Sequence, residues 1–468
     1  MSSDFDIAGA SAAQNKLLAD IASKFSVTDE HLAEVATEVH RYLVNGLEGD
    51  NVPHGLPSRV SYIKKGIADD IREAKKNEGL ALGLTINTSA NRLKVASVMF
   101  VNNAPDIINK QVFYMTKDIP SASQLFEEAA THIAQFVNTH NLMTDLRQIP
   151  LGVTIDLPLE ETSKIGGRVA CDTRGCDPFF MNVDIAQSLS SALLKRHLPV
   201  RVTSTTNCVI STMVAAQHHF QTTCAALILN HGINASYYEA ASKISKISGS
   251  DLVGSNAKVA INTELARFGE NSLVIQSTMW DHRIDRESGN TGYHIFEKLV
   301  ADKYLGEIVR NLITDFLDAR LIFPKDADVS TFSEPYTFFT SYMTIMEDTS
   351  DDLREVGDLL DTGFNVKTSY VDRQIVRALC RIVTLRAAKL VGAAVAGVVR
   401  KATEAMDKPT QAVVSISGQL TEMNQPYVGC TIKTAQELLS KMNLEEAVFN
   451  VLGEDGYTVG AALCSFSS

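Results

Sequence analysis

The chain has 468 residues, of which 45% are hydrophobic and 21% charged, and 43 basic residues against 55 acidic ones give a net charge of −12. This composition is that of a globular protein with room for two or three domains, and it excludes a disordered chain. The basic residues form only doublets such as Lys64-Lys65, so we expect no direct nucleic-acid binding, which needs clustered positive charge.

The cysteines and the apolar segments exclude further classes of protein. Seven cysteines occur without a C-x-x-C pair, which argues against a disulfide framework and against a zinc site. The longest apolar run, 391–399, is too short to cross a bilayer, and the N-terminal segment 1–16 lacks the apolar region of a secretion signal. We therefore expect no membrane insertion and a cytoplasmic location, with the nucleus possible.

Apolar periodicity predicts alternating helices and strands along the whole chain. In chain order it predicts helices over 12–48, strands over 80–86 and 93–101, a helix over 121–140, a strand over 149–158, a helix over 183–197, strands over 200–204, 224–230, 234–240 and 257–264, helices over about 292–320 and 371–406, and strands over 411–418 and 447–453. This alternation indicates an α/β protein with more than one sheet.

General catalytic motifs are missing from the sequence. It contains no G-x-x-x-x-G-K-[ST], no G-x-G-x-x-G after a strand, no H-E-x-x-H and no G-x-S-x-G. The eleven histidines are scattered, and the adjacent His218 and His219 cannot both face one site on a helix, so we expect no metal site.

Several segments together resemble the eukaryotic hexokinase family. The most specific is "YLGEIVRNLITDF", and the others keep the family's order from about residue 20 to 466; the segments are "IPLGVTIDLP" (149–158), "INTELARFGE" (261–270), "HIFEKLV" (294–300), "YLGEIVRNLITDF" (304–316), "IVTLRAAKLVGAAVAGVV" (382–399) and "GEDGYTVGAAL" (453–463). The resemblance implies an α/β, two-lobed actin-like ATPase (ribonuclease H-like) fold with a sugar cleft between the lobes. It also implies an N-terminal region, 10–205, with the leading helices and the small lobe, and a C-terminal region, 206–466, with the large lobe and a last helix that returns to the small lobe.

The family's sugar-contacting positions map onto six residues, five of them of the expected type. Sugars are bound by amides and carboxylates that each take two hydroxyl groups. The matched positions are Thr173, Arg174, Asn207, Asn234, Glu264 and Glu297. Arg174 stands where the family has lysine, and Asp156 stands where it has serine, which places an additional charge beside the sugar loop.

The family's three phosphate loops are altered. Glycine in such loops lets backbone N–H groups approach phosphate. In the first loop, "L-D-L-G-G-T-N-x-R" in the family, Gly83 replaces the aspartate and Thr85-Ile86 replace the glycine pair. In the second, His231 replaces a threonine while Gly232 remains. In the third, Tyr457 replaces a small residue. We expect the usual mode of nucleotide binding to be lost.

Cys208 stands where the family's catalytic aspartate is expected, directly after Asn207. A general base must accept the hydroxyl proton of the sugar, and a thiol is a poor acceptor. We interpret Cys208 as a small residue that fills the space of a lost carboxylate. Two alternatives remain open: a reactive thiol favoured by a helix N-terminus, and a relocated base at Asp156.

The prediction is therefore a hexokinase-like protein without sugar phosphorylation. We expect it to sense sugar or carbon status, with a hexose such as glucose as a possible ligand and an unidentified protein partner in nutrient signalling. No cofactor is expected. The first alternative is an active hexokinase that uses ATP and Mg²⁺ to phosphorylate glucose and related hexoses, and the second is a structural protein that binds neither ligand.

Overall fold

The structure is a computed structural model. It describes residues 6–50, 52–66, 79–101, 104–116, 119, 121–143, 148–170, 178–247, 252, 257–270, 272–346, 350–405, 411–444, 447–453 and 455–466.

One five-stranded sheet forms the smaller lobe. Its strands are β2 (Leu80–Asn87), β3 (Arg92–Val101), β4 (Ala104–Tyr114), β5 (Ile149–Ile155) and β8 (Val200–Asn207). They lie in the order β4-β3-β2-β5-β8. The first three pair antiparallel and the last two join β2 in parallel.

A six-stranded sheet forms the larger lobe. Its strands are β1 (Arg59–Lys64), β9 (Thr223–Leu229), β10 (Ile233–Ala240), β11 (Lys258–Asn262), β12 (Ala412–Ser417) and β13 (Ala447–Val451), in the order β1-β11-β10-β9-β12-β13. Without β1, this sheet repeats the plan of the smaller one: three antiparallel strands, then two parallel ones. A short antiparallel pair, β6 (Leu159–Glu161) and β7 (Gly167–Val169), contacts both β1 of the larger sheet and β8 of the smaller one.

Helices cover both sheets. In chain order they are α1 (Ala12–Phe25), α2 (Asp29–Asn45), α3 (Ala122–Thr139), α4 (Ile185–Lys195), α5 (Cys208–His219), α6 (Met279–Glu287), α7 (Ile295–Val300), α8 (Asp302–Asp318), α9 (Thr340–Ile345), α10 (Arg354–Phe364), α11 (Tyr370–Glu404), α12 (Gln419–Met423), α13 (Gln425–Lys441) and α14 (Gly456–Phe466). Side-chain oxygens begin many of them: Thr28 accepts from the backbone N–H of His31, and Ser369 forms a capping box with Asp372.

The helix α11 is the central element of the larger lobe. It is long and apolar enough to cross a membrane by length and composition alone, but 89% of its most apolar window is buried inside the protein. It packs against α2 and α13, and two fully buried ion pairs fasten it to its surroundings, Arg386 with Asp281 and Lys401 with Glu239. A helix that is apolar all round is expected in the core of a large lobe.

The last helix, α14, lies between the smaller sheet and α5. Backbone approaches this close require glycine: a Cβ on Gly83 would lie 2.0 Å from the carbonyl oxygen of Thr458, and one on Gly152 would lie 1.7 Å from that of Ala461. A Cβ on Gly460 would likewise lie 1.8 Å from the carbonyl oxygen of Ser211. The return of the last helix to the smaller lobe therefore depends on three glycines.

The structure corrects two predicted elements and leaves one boundary open. The helix predicted over about 292–320 is two helices, α7 and α8, because Ala301 is extended (φ −86°, ψ 151°). The strand predicted over 149–158 ends at Ile155, since the chain turns at Asp156 ahead of Pro158. The division of the chain at 205/206 stays a prediction; the chain passes from the smaller to the larger sheet between β8 and β9, and β1 pairs in the larger sheet.

Candidate functional site

A cleft of about 1030 Å³ lies between the two lobes. Segments that directly follow four strands line it: Thr88 after β2, Asp156 after β5, Cys208 after β8 and Asn230 after β9. Open α/β sheets bind their ligands at the carboxyl ends of strands. The fold therefore gathers at one place polar residues that are far apart in the sequence.

Four of the predicted sugar-contacting residues meet in this cleft. They are Asn207, Asn234, Glu264 and Glu297. The other two, Thr173 and Arg174, lie outside the described residues, so their predicted roles stay predictions.

Asn234 and Glu264 belong to one hydrogen-bonded chain of side chains. The amide of Asn234 donates to Oδ1 of Asn262 at 2.8 Å, and the amide of Asn262 donates to Oε1 of Glu264 at 2.9 Å. Glu264 has a left-handed backbone (φ 55°), a conformation that non-glycine residues rarely adopt and that clusters at functional sites. The carboxylate is thus held in a fixed place at the cleft wall.

Glu297 is held by the loop between β9 and β10. Its Oε2 accepts from the backbone N–H of Ile233 at 3.3 Å. A Cβ on Gly232 would lie 2.4 Å from the same oxygen, so only glycine leaves room for the carboxylate. The other oxygen, Oε1, lies 3.2 Å from Nδ1 of His294.

Asn207 begins α5 and also closes the small-lobe side of the cleft. Its Oδ1 accepts from the backbone N–H of Val209 at 3.0 Å, and its amide donates to the carbonyl oxygen of Leu157 at 3.0 Å. The amide is therefore oriented from both ends and reaches the cleft with its remaining donor and lone pair.

Cys208 is the first residue of α5 and is only 8% exposed. Burial raises the pKa of its thiol, and the charge of Asp156 raises it further, against a hydrogen bond with Thr154 that lowers it. Desolvation opposes the thiolate that the helix N-terminus would favour. The reactive thiol at this position stays a prediction. Cys208 is a neutral thiol in this environment.

Asp156 is bound to the turn that joins β2 to β3. Its Oδ1 accepts from the backbone N–H and the hydroxyl of Thr88, at 2.9 and 2.8 Å. Its Oδ2 accepts from the backbone N–H and the hydroxyl of Ser89, at 3.1 and 2.9 Å. Both oxygens of the Asp156 carboxylate are therefore held by donors of this turn.

The residues of the first predicted phosphate loop divide between the cleft and the core. Thr85 lines the cleft, and its hydroxyl lies 2.7 Å from that of Thr458 on α14. Ile86 is fully buried in the smaller lobe, and Gly83 faces the backbone of α14. The glycine at 83 therefore serves helix packing.

In the second predicted loop, His231 and Gly232 both line the cleft. Nδ1 of His231 lies 2.9 Å from Oδ2 of Asp302, the first residue of α8. The backbone N–H of Asp302 donates to the carbonyl oxygen of Asn230 at 3.1 Å, which fixes the start of α8 against this loop.

In the third predicted loop, Tyr457 is buried and forms part of the cleft wall. Two residues earlier, Asp455 pairs with Lys94 at 3.0 Å and with Lys110 at 2.7 Å. These lysines hold the pKa of Asp455 below its usual range, although burial opposes them. The carboxylate thus fastens the start of α14 to β3 and β4.

Sequence reasoning missed three cleft or support residues: Asn262, His294 and Asp302. A signal existed for two of them, because Asn262 precedes Glu264 by two residues at a strand end, and His294 lies directly before α7, three residues before Glu297. Asp302 gave no signal, since its partner His231 is 71 residues away.

Family models for hexokinase match almost the whole chain, over residues 17–218 and 224–467. The hexokinase of Kluyveromyces lactis is 29% identical over 94% of this chain and 89% of its own length. Hexokinase-7 of Oryza sativa subsp. japonica is 32% identical over 73% of this chain and 74% of its own. Hexokinase-1 of Saccharomyces cerevisiae is 28% identical over 81% of this chain and 77% of its own.

Solved structures agree on the fold. The hexokinase of Schistosoma mansoni complexed with glucose covers 97% of this chain and all of its own, with a TM-score of 0.82 at 23% identity. A second hexokinase crystal structure gives a TM-score of 0.76 at 20% identity, over 97% of this chain and 99% of its own. The predicted two-lobed actin-like ATPase (ribonuclease H-like) fold is confirmed, and the chain belongs to the hexokinase family.

Proposed function

We propose that this protein binds a hexose in the interlobe cleft, does not phosphorylate it, and reports sugar or carbon status through lobe closure or a protein partner. One observation carries the proposal: a buried neutral thiol, Cys208, stands at the head of α5 beside a predicted sugar site whose amides and carboxylates are held in place. The site has the groups for binding and lacks the group for proton removal at this position.

The proposed hexose binding rests on side chains that the protein already holds in place. One oxygen of Glu264 is fixed by Asn262, the two oxygens of Glu297 are held by Ile233 and His294, and Asn234 is fixed by Asn262. Carboxylates in fixed places can accept from sugar hydroxyls. Asn234 can donate its remaining N–H, because its Oδ1 already accepts from Ala235, Thr263 and Leu265. A glucose-bound hexokinase from Schistosoma mansoni shares the fold, which supports a hexose as the ligand.

Hexokinases use ATP and Mg²⁺ in general, but the described cleft residues do not fit that cofactor well. The backbone N–H groups of Thr88 and Ser89, in the turn of the first predicted loop, already donate to Asp156. Phosphate there would have to displace a carboxylate of the same sign.

The competing function is the sugar phosphorylation that the names of the relatives indicate. It would need a proton acceptor other than Cys208, and Asp156 has four donors on its carboxylate. Without an acceptor in hydrogen-bond reach of the sugar hydroxyl, general base catalysis is lost.

Two measurements on the purified protein test the proposal. Calorimetry and thermal unfolding with glucose, mannose and fructose should show binding at millimolar sugar, since a ligand of the native state raises its stability. A coupled assay with the same sugars and MgATP should show no turnover. Asn234→Ala should lose the binding, whereas Asn109→Ala, which removes an amide bound to Ser97 on β3, should keep it.

Two results would overturn the proposal. Turnover within about a thousandfold of ordinary kinases would make the protein an active hexokinase. Absence of stabilisation by every sugar would leave a structural protein that uses neither ligand. Imaging of the tagged protein would test the proposed cytoplasmic or nuclear location.

A further inference from the structure

His294 lies in the wall of the cleft, beside two of the predicted sugar carboxylates. Its Nδ1 is 3.2 Å from Oε1 of Glu297, and its backbone N–H donates to Oε1 of Glu270 at 2.9 Å. The hydrogen bond at Nδ1 leaves the opposite ring nitrogen, Nε2, for a ligand.

The position of this imidazole is fixed on both sides. His294 has a left-handed backbone (φ 53°), as Glu264 has. Glu270, which holds the backbone N–H of His294, is itself clamped by the guanidinium of Arg267 at 3.1 and 3.0 Å. A strained residue that its surroundings hold this firmly points to a functional constraint.

The charges around His294 favour its protonated form. Burial lowers the pKa of the imidazole, but the hydrogen bond to Glu297 and the carboxylates of Glu264 and Glu270 outweigh it, and the pKa is raised above its ordinary value. On the helices packed against α7, Asp285 pairs with Lys298, Asp302 with His231, and Asp281 with Arg386. Two further charged residues of these helices, Glu287 and Lys303, also line the cleft.

We propose that His294 is a ligand-binding residue of the hexose site, whose imidazole donates from Nε2 to a sugar oxygen and so strengthens hexose binding. The inference rests on the proposed function, hexose binding in this cleft. A hexose that covers Glu264 and Glu297 removes water from two carboxylates, and an adjacent imidazolium offsets their charge. Its Nε2–H then donates to a sugar oxygen while Nδ1–H stays on Glu297. A neutral imidazole supplies one donor fewer and no compensating charge.

Calorimetric titration of glucose from pH 6 to pH 8.5 tests this inference. Affinity should fall by about tenfold across that range, since one unit of pKa difference between free and bound protein is a tenfold change in affinity. Titration in two buffers with different ionisation enthalpies should show proton uptake on binding.

Two variants and one control complete the test. His294→Gln and His294→Asn should bind glucose more weakly at pH 6 and show little pH dependence; asparagine tolerates the left-handed backbone well. His40→Gln removes a different imidazole–carboxylate pair, His40 with Glu404 at 2.7 Å, outside the cleft. It should keep the full pH dependence.

The outcomes separate this inference from the proposed function. A wild-type affinity that is independent of pH, or an unchanged pH dependence in both His294 variants, would overturn the role of His294 and leave hexose binding intact. Absence of glucose binding by the wild-type protein at every pH would overturn both.

Discussion

The backbone N–H and the hydroxyl of Thr88 both donate to the same carboxylate oxygen of Asp156, at 2.9 and 2.8 Å. Ser89 does the same at the other oxygen. The carboxylate that ends β5 therefore closes the turn between β2 and β3. A turn with successive N–H groups on one side is a place where anions bind, and here the anion is part of the chain.

Asp156→Ala should destabilise the protein by about 1–3 kcal/mol, because it leaves four donors of a partly buried turn without their acceptor. Urea unfolding at pH 7 would measure the change. Asp328 is an exposed aspartate that accepts from the backbone N–H of Ser330, and Asp328→Ala should destabilise the protein much less than Asp156→Ala. Equal costs for the two variants would contradict the structural role of Asp156.

Cys208 should react slowly with thiol reagents in the native protein. Its thiol is buried and its pKa is raised, whereas Cys430 is partly exposed. Iodoacetamide labelling at pH 8 followed by peptide mass spectrometry should therefore modify Cys430 at least about tenfold faster than Cys208, since the thiolate is the reactive form and must be accessible. In urea the two rates should converge. Faster labelling of Cys208 in the native protein would restore the reactive-thiol interpretation.

Glu161→Gln should make the protein more stable at high pH. Burial raises the pKa of Glu161 from 4.5 to about 7, against hydrogen bonds from Ser61 and from the backbone N–H of Tyr62 that lower it. Because the folded state holds the proton more tightly, this stabilisation is full below pH 4.5 and is lost as the pH rises through 7. Glutamine cannot ionise and still accepts both hydrogen bonds.

Urea midpoints between pH 5 and pH 8 would measure this effect. The wild-type protein should lose about 1–3 kcal/mol relative to Glu161→Gln over that range. Glu160→Gln changes the exposed neighbour and should follow the wild type. Parallel curves for wild type and Glu161→Gln would show that Glu161 ionises normally in the fold.

Gly232→Ala should weaken hexose binding by about tenfold or more, because the added methyl group would displace the carboxylate of Glu297 from 2.4 Å away. The fold should change little, since the displaced group is the end of a side chain. Glucose calorimetry would measure the loss. Gly429→Ala is the matched control: its Cβ would meet nothing within 4 Å. Unchanged affinity in Gly232→Ala would remove Glu297 from the proposed site.

The fold could be predicted well from the sequence, because the apolar patterns are local and the segments that resemble the family occur together in one order. Apolar periodicity identified strands such as β9 and the long helix α11, and the ordered family segments supplied the two lobes. The predicted residues Asn207, Asn234 and Glu264 meet because strand ends converge in this fold. Their types alone could not show that they share a cleft.

The predictions failed where contacts between residues far apart in the sequence determine the local structure. The apolar pattern continues from Leu299 through Leu305, so periodicity could not show the break at Ala301, which a hydrogen bond from Asp302 to Asn230 fixes. Asp156 was predicted to place an additional charge beside the sugar loop. Its hydrogen-bond donors, Ser89 and Thr88, lie 67 and 68 residues away in the sequence, so no local pattern indicated them. The helix N-terminus at Cys208 was correct as geometry, but burial outweighed it.

The position of α14 has a consequence for how the protein is made. The strands β2, β5 and β8 emerge from the ribosome early, yet the helix that covers one of their faces is encoded near residue 460, after the entire larger lobe. During translation that face of the sheet stays uncovered, and Gly83 and Gly152 leave a groove in it. The smaller lobe therefore cannot complete its packing until the last helix, which follows nearly all of the larger lobe in the chain, has been synthesised.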